Sequence, residues 1–211
     1  MKRVENLLDK LASFPNSKVV TNPYVEQYAI DNLRHYFKYV LSQKGKRILL
    51  VGEAPGYKGC RITGIPFTSG RVFQEIPHPI LLALKDKICL PKLEAENTAT
   101  IVWRVLTEAL HKKSSKNNIT PIFWNSFPFH PHPAGQTNKN RAPTKNEIVF
   151  GSEILKELHQ IVKHDSVAGI GLKGVTALKT LFPDQTVQAI RHPSYGGKKQ
   201  FKEGINSLLG I

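Results

Sequence analysis

The sequence of 211 residues contains only two cysteines, Cys60 and Cys89. Two cysteines are too few for a disulfide framework or for a metal site built from four cysteines. Such sparse use of cysteine is typical of a reducing compartment, and we expect an intracellular, cytoplasmic protein. Because 40% of the residues are hydrophobic, we expect the fold to depend on an apolar core.

Long apolar runs and linkers are also missing. No run approaches the roughly 20 apolar residues of a membrane-spanning helix, so we expect a soluble protein with no membrane partner. The N-terminal stretch MKRVENLLDKLASF has the pattern of an amphipathic helix and lacks the apolar centre of a signal peptide. With no repeat or low-complexity tract, we expect one domain over 1–211, with 1–45 as a helical arm packed on it.

Acidic residues are scarce relative to basic ones. The chain has 30 Lys and Arg against 16 Asp and Glu, which gives a net charge of +14 spread from end to end. A basic globular domain attracts polyanions, of which nucleic acid is the most common. A surface that serves solubility, or association with the ribosome, is the alternative interpretation.

Short apolar segments with strand character alternate with helical periodicity. The predicted strands are 47–51, 121–127, 166–172 and 186–191. The predicted helices are 2–13, 24–43, about 94–111, 145–163, 174–182 and about 200–209, with a proline-broken segment at 71–90 and a polar loop at 112–118. Thr144 and Glu147 have the spacing of a capping box. This alternation predicts a parallel sheet of about four strands covered on both faces.

Unusual loops follow three of the predicted strands: GEAPG (52–56), NSFPFHPHP (125–133) and HPSYGG (192–197). Ligands of such sheets bind beyond the carboxyl ends of the strands, so we expect these loops to meet at one site. In GEAPG, glycine lets the backbone approach a ligand and proline fixes the turn. The loop matches neither a Walker A motif nor a dinucleotide fingerprint, and a tight turn is the simpler alternative.

Phe67 and Asn125 are candidate ligand contacts. Phe67 lies among small and hydroxyl residues in TGIPFTS, where its ring could stack on a base; burial as a core anchor is the alternative. Asn125 follows PIFW, and its amide offers the acceptor and donors that a uracil-like O4 and N3–H edge requires. A loop-capping role is the alternative for Asn125.

Histidines occur in two of these loops. His130 and His132 lack a third nearby ligand, which disfavours a metal site, and we expect them to shape a loop near DNA. His192 follows a predicted strand, where it could donate a hydrogen bond to a developing anion. Ser194, the glycines and the lysines after it suit phosphate contacts, although a basic surface loop is the alternative.

Taken in order, GEAPG, PFTS, WNS and HPS resemble the motifs of the uracil-DNA glycosylase superfamily, over roughly 48–200. The resemblance implies a three-layer α/β/α sandwich with a central, mostly parallel sheet of about four strands. It also implies flipping of a damaged base out of single- or double-stranded DNA and hydrolysis of its N-glycosidic bond, with no metal or cofactor. We expect a monomer that acts on uracil or on a related deaminated or oxidised base.

The resemblance assigns roles to individual residues. Phe67 would stack on the flipped base, Asn125 would recognise its edge, and His192 would hydrogen-bond O2 and stabilise the anionic leaving base. The rest of the base pocket would come from Gly52, Pro55, Gly56 and Tyr57, the last near the position that excludes the methyl group of thymine in some branches. Contacts with DNA would come from Ser69, Arg71, Ser194, Tyr195, Gly196, Gly197, Lys198 and Lys199, with Tyr195 as the wedge that fills the gap left by flipping.

The sequence departs from the family where the attacking water is held. Several branches have Asp or Asn at the third residue of the first motif, whereas this chain has Ala54, which leaves only backbone groups at the water site. The iron-sulfur branch uses a later carboxylate, matched here by Gly59, and needs four cysteines, so we expect no cluster. Glu53 is the nearest carboxylate and the candidate to position water. Ala54 also leaves open a non-catalytic binder of damaged DNA; a nucleoside hydrolase fits the basic charge less well.

Overall fold

The computed structural model describes residues 1–112 and 118–211. Within these residues, four parallel strands form a sheet in the order β3-β2-β5-β6, and two short strands, β1 and β4, pair antiparallel beside it. The strands are β1 (Val20–Thr21), β2 (Lys46–Gly52), β3 (Ile119–Asn125), β4 (His130–Pro131), β5 (Ser166–Ile170) and β6 (Val187–Ile190). The predicted fold class is confirmed: helices flank this parallel sheet in a three-layer α/β/α arrangement.

The helices lie close to their predicted positions. They are α1 (Lys2–Ala12), α2 (Gln27–Ser42), α3 (Cys60–Thr63), α4 (Gly70–Glu75), α5 (Pro79–Lys85), α6 (Asn97–Lys112), α7 (Lys145–Val162), α8 (Gly171–Leu181) and α9 (Lys198–Leu209), with a 3-10 turn at Pro23–Val25. The predicted capping box is present at the start of α7. Of the polar loop predicted at 112–118, residues 113–117 lie outside the described residues.

Several predicted boundaries were wrong by two or three residues, among them the start of α2 (Gln27, not 24), both ends of β3 (Ile119–Asn125, not 121–127) and the start of α8 (Gly171, not 174). Two further differences have identifiable reasons. Helix α6 begins at Asn97 rather than near Glu94, because the Glu96 carboxylate accepts the backbone N–H groups of Thr98 and Ala99 and so caps the helix. Strand β5 ends at Ile170 rather than at 172, because Gly171 adopts a left-handed φ of 76° and starts α8.

Both faces of the sheet are covered by the helices. Leu49, Leu50 and Val51 in β2 are consecutive, so they point to alternate faces, yet each is at most 1% exposed. Helix α8 lies so close to β2 that a Cβ on Gly174 would come within 2.0 Å of the Val51 carbonyl oxygen. This contact places the start of α8 directly behind the loop that follows β2.

The N-terminal helix is part of the same packed structure. Helix α1 buries Val4, Leu7, Leu8 and Leu11 against α2 and α7. Its packing is supplemented by ion pairs of Glu5 with Arg34 and of Lys10 with Glu157. Among residues 1–112 and 118–211, no helix combines the length and the apolar character that crossing a membrane requires.

Candidate active site

The loops that follow β2, β3 and β6 meet around a cavity of about 310 Å³. Gly52 and Asn125 are register partners in adjacent parallel strands, so the two loops begin side by side. The predicted residues that line the cavity are Glu53, Ala54, Pro55, Gly56, Phe67, Asn125, His192, Ser194 and Tyr195. The expectation that these loops converge at the carboxyl end of the sheet therefore agrees with the structure.

A larger hollow of about 650 Å³ lies at the opposite end of β3, against Ile119, Thr120 and Pro121. Its walls come from the last turns of α2 and α6 and from the start of α5, and none of the motif residues borders it. We place the candidate site in the smaller cavity because polar side chains from several loops converge there.

Phe67 is held in a strained position at the wall of the cavity. Its backbone has a φ of 56°, which is unusual for a bulky residue, and the indole N–H of Trp103 donates to its carbonyl oxygen at 2.8 Å. The ring packs against Phe123, with 5.2 Å between centroids. A Cβ on Gly52 would lie 2.4 Å from the Phe67 ring, so glycine at this position leaves the space that the ring occupies.

Asn125 ends β3 beside that ring. It is only 4% exposed, yet it lines the cavity, and its Oδ1 lies 3.2 Å from the position of a Cβ on Gly52. A buried amide that faces a cavity offers a ligand one acceptor and two donors at a fixed place. Phe67 and Asn125 therefore present a flat face and a polar edge to the same space.

His192 enters the cavity from the loop after β6. The backbone N–H of Ser194 donates to its Nδ1 at 3.2 Å, so Nδ1 acts as the acceptor and the proton of the neutral ring is on Nε2. Burial, with Arg191 nearby, lowers the pKa of His192 and keeps the ring neutral at pH 7. The residue therefore presents a neutral Nε2–H donor.

Glu53 and Ala54 occupy the stretch where the family holds its attacking water. Among the described residues, Oε1 of Glu53 is buried and accepts no hydrogen bond. Burial raises the pKa of Glu53, an effect that the charge of Lys173 partly offsets. A buried carboxylate oxygen without a protein partner is a natural place for an ordered water or a substrate proton. Ala54 contributes no polar side chain to this wall.

Strand β4 and the loop after it hold the GEAPG backbone and the residue that follows it. The ring of His130 lies between two carbonyl oxygens, with Nδ1 2.9 Å from that of Pro55 and Nε2 3.2 Å from that of Thr137. Asn140 accepts the backbone N–H of Tyr57 at 3.0 Å. Within the described residues, no three His, Cys, Asp or Glu side chains lie close enough together to hold a metal ion.

The loop after His192 projects from the rim of the cavity. Tyr195 is 98% exposed and has a φ of 52°, so a large aromatic ring is held in solvent on a strained turn. A Cβ on Gly197 would lie 2.1 Å from the His192 carbonyl oxygen, which explains why the turn needs glycine there. Gly196 (φ 78°) is exposed in this turn, and Lys198 and Lys199 begin α9 with exposed side chains.

Eight predicted site residues do not line the cavity: Gly52, Gly196, Gly197, Lys198 and Lys199, described above, and Tyr57, Ser69 and Arg71. Ser69 is 0% exposed at the start of α4, where a phosphate cannot reach it without movement of the chain. Arg71 is on the surface and pairs with Glu75 at 3.5 Å. Tyr57 lies beside the cavity, and the ammonium group of Lys58 lies over its ring. Tyr57 is connected to the cavity wall by its backbone N–H, which donates to the side chain of Asn140.

Six lining residues were not predicted from the sequence: Cys60, Thr68, Glu96, Thr98, Asn140 and Arg141. Burial raises the pKa of Cys60 to about 12, so its thiol stays neutral and is a poor nucleophile. Arg141 is engaged by both carboxylate oxygens of Glu147, at 2.6 and 2.7 Å. The Glu96-Asn97-Thr98 stretch carried one usable signal, since acidic residues are enriched near the N-terminal ends of helices.

Comparison with known proteins agrees with this architecture. The family model described as the uracil DNA glycosylase superfamily matches residues 40–209. A solved structure, the crystal structure of WT Pedobacter heparinus SMUG2, is similar with a TM-score of 0.70 at 14% identity, over 99% of this chain and 97% of that chain. At this identity the likeness establishes the fold. None of the curated proteins matches the chain. Because the family model covers the sheet and all the loops of the cavity, the chain belongs to the uracil DNA glycosylase superfamily.

Proposed function

We propose that the protein is a monofunctional DNA glycosylase that flips uracil, or a related deaminated or oxidised base, out of DNA and hydrolyses its N-glycosidic bond. The observation that carries the proposal is the convergence of Phe67, Asn125 and a neutral His192 on one cavity. These groups supply a stacking face, a hydrogen-bonding edge and a donor for a developing anion, which together suit a flipped pyrimidine.

His192 supports departure of the base. In the reaction, the bond between N1 of the base and C1′ of the deoxyribose breaks, and its electron pair leaves with the base. Nε2–H of His192 donates to O2, where negative charge develops, while Asn125 holds the O4 and N3–H edge. A neutral donor that is already oriented by Ser194 needs no rearrangement as this charge appears.

DNA is held at the rim of the cavity by the loop from Ser194 to Lys199. The net charge of +14 attracts the phosphate backbone, and exposed Lys198 and Lys199 lie next to the cavity loop. Tyr195 stands in solvent where it can enter the space that the flipped nucleotide vacates. Ser194 and the backbone N–H groups of the loop suit the flanking phosphates.

Glu53 is the candidate that accepts the proton of the attacking water, and its raised pKa gives a test. If this role is correct, the single-turnover rate rises with pH through a value above the ordinary glutamate pKa of 4.5, since only ionised Glu53 accepts a proton. We expect Glu53→Gln to abolish this acidic limb and to slow base release.

Stability should change in the opposite direction. Because the pKa of Glu53 is raised on folding, the folded protein binds more protons than the unfolded one between the two pKa values, and its stability falls as pH rises through that window. Glu53→Gln should therefore raise the melting temperature at neutral pH. A variant that keeps the acidic limb, or that melts lower, would exclude this role for Glu53.

The proposed activity is tested with oligonucleotides that carry a single uracil, hydroxymethyluracil, hypoxanthine or xanthine. Each is incubated single-stranded and as a duplex, then treated with alkali to cleave abasic sites. We expect strand cleavage at uracil or at a close relative among these bases. Absence of cleavage with every lesion, on both substrates and at micromolar enzyme, would reject the glycosylase assignment.

A further inference from the structure

On the basis of the proposed glycosylase function, we infer that Glu96 supplies a fixed negative charge that stabilises the cationic deoxyribose as the base departs. Among the cavity-lining residues of the described chain, Glu53 and Glu96 are the carboxylates. Glu96 directly precedes α6 and is far in the sequence from the four motifs, although it shares the cavity wall with residues of these motifs.

The Glu96 carboxylate is rigidly placed. Its Oε1 accepts the N–H of Thr98 at 3.0 Å and its Oε2 accepts the N–H of Ala99 at 2.8 Å. These bonds hold the carboxylate at the positive end of the dipole of a helix of 16 residues. Each oxygen can still accept a further hydrogen bond, so the cap does not exhaust the capacity of the group.

Gly59 makes room for this carboxylate at the cavity wall. A Cβ on Gly59 would lie 3.3 Å from Cγ and 3.6 Å from Oε2 of Glu96, and only 2.9 Å from the carbonyl oxygen of Thr68. Any larger side chain at this position would displace Glu96 or the Thr68 backbone. The site at which the sequence lacks a carboxylate therefore has one beside it, contributed by a different element.

Glu96 lies at the level of the cavity where the sugar is expected. Two residues after it, the Thr98 hydroxyl is 3.2 Å from the Ser194 hydroxyl, which we assign to the phosphates at the rim. Phe67 and Asn125 line the part of the cavity that we assign to the base, where Asn125 is 4% exposed. Deoxyribose connects base to phosphate, so it passes between these two levels and beside Glu96.

The sign of the charge supports this role. An anion in the wall of a DNA-binding cavity repels the phosphate backbone and weakens binding of the substrate. A carboxylate becomes favourable once the N1–C1′ bond breaks with both electrons going to the base, since the sugar is then an oxocarbenium cation. Water next adds to C1′ and loses its proton to Glu53, which gives the abasic deoxyribose and the base anion held by His192. The base then takes up a proton from solvent and Glu53 releases its own, which restores the site.

Glu96→Gln tests this role because it should change turnover and affinity in opposite directions. We expect the single-turnover rate to fall about 10- to 100-fold, as loss of a nearby charge on a cationic centre implies, while binding to uracil-containing DNA stays equal or tightens. Glu94→Gln is the matched control: it removes the same charge two residues earlier, at a side chain outside the cavity that faces Lys58 at 4.0 Å, and should behave as wild type.

Three outcomes would overturn the inference. Wild-type turnover in Glu96→Gln excludes the charge effect, and parallel losses of turnover, affinity and melting temperature indicate a purely structural cap. If Glu96→Gln does not fold, Glu96→Asp tests the inference, since the shorter side chain keeps the charge but moves it away from the sugar. Slower turnover at wild-type affinity would support the inference, and unchanged turnover would reject it. If the wild-type protein releases no base, the proposed function itself is rejected. This result is distinguishable from the outcomes above, which compare variants with an active wild-type protein.

Discussion

His192→Ala is expected to lower the rate of base release by about 10²- to 10³-fold while DNA affinity changes little. The neutral Nε2–H donor acts on charge that exists only as the base departs, so its loss affects the transition state far more than the bound substrate. Single-turnover excision and fluorescence anisotropy with uracil-containing DNA measure the two quantities separately.

The control for this variant is His111→Ala, which removes an exposed imidazole at the end of α6 and should leave both quantities unchanged. Equal losses of turnover and affinity in His192→Ala would contradict an anion-stabilising role. They would instead make His192 a group that holds DNA or supports the loop from Ser194 to Lys199.

The second large effect is expected from Asn125→Leu, which replaces the amide with an apolar side chain of similar size. We expect kcat/KM for uracil to fall by at least about 10²-fold, because the polar edge of the base would be buried without partners. The melting temperature should stay the same or rise, since Asn125 is 4% exposed and an apolar replacement suits a buried position.

Asn138→Leu is the comparison for Asn125→Leu, since Asn138 is exposed in the loop after β4. It should leave kcat/KM at the wild-type value. A lower melting temperature together with a modest loss of activity in Asn125→Leu would support the alternative that this residue caps a loop. Thermal melting and steady-state kinetics on the same preparations distinguish the two interpretations.

Much of the architecture follows from local patterns. Apolar segments such as RILLV and PIFW are short and rich in residues that favour strands, and the sequences between them have helical periodicity. Together these patterns predict a parallel sheet. The carboxyl ends of parallel strands share one edge, so the loops after β2, β3 and β6 could be placed together without coordinates.

Other features depend on contacts between distant parts of the chain and left no local signal. Strands β1 and β4 pair over two residues each, too short for any periodicity. Asn140 and Tyr57 form a hydrogen bond although they are 83 positions apart in the sequence, and the hydroxyls of Thr98 and Ser194 do so at a separation of 96 positions. Ser69 is the last residue of the PFTS motif, yet tertiary packing buries it, and sequence position alone does not reveal that burial.

Gly59 illustrates how the structure changes the meaning of a sequence difference. In the sequence it is the position at which the iron-sulfur branch has a carboxylate and this chain has none. In the fold, the absence of a side chain at Gly59 leaves room for the Glu96 carboxylate at the wall of the cavity.

Chromatographic detection of free base after incubation with uracil-containing DNA is the most direct test of the proposed glycosylase activity. A glycosylase releases uracil in an amount equal to the abasic sites formed, at a rate that His192→Ala reduces. We expect this result for the wild-type protein. Tight, salt-dependent binding of the same DNA with no free uracil would contradict it and would identify a lesion-binding protein on the same fold.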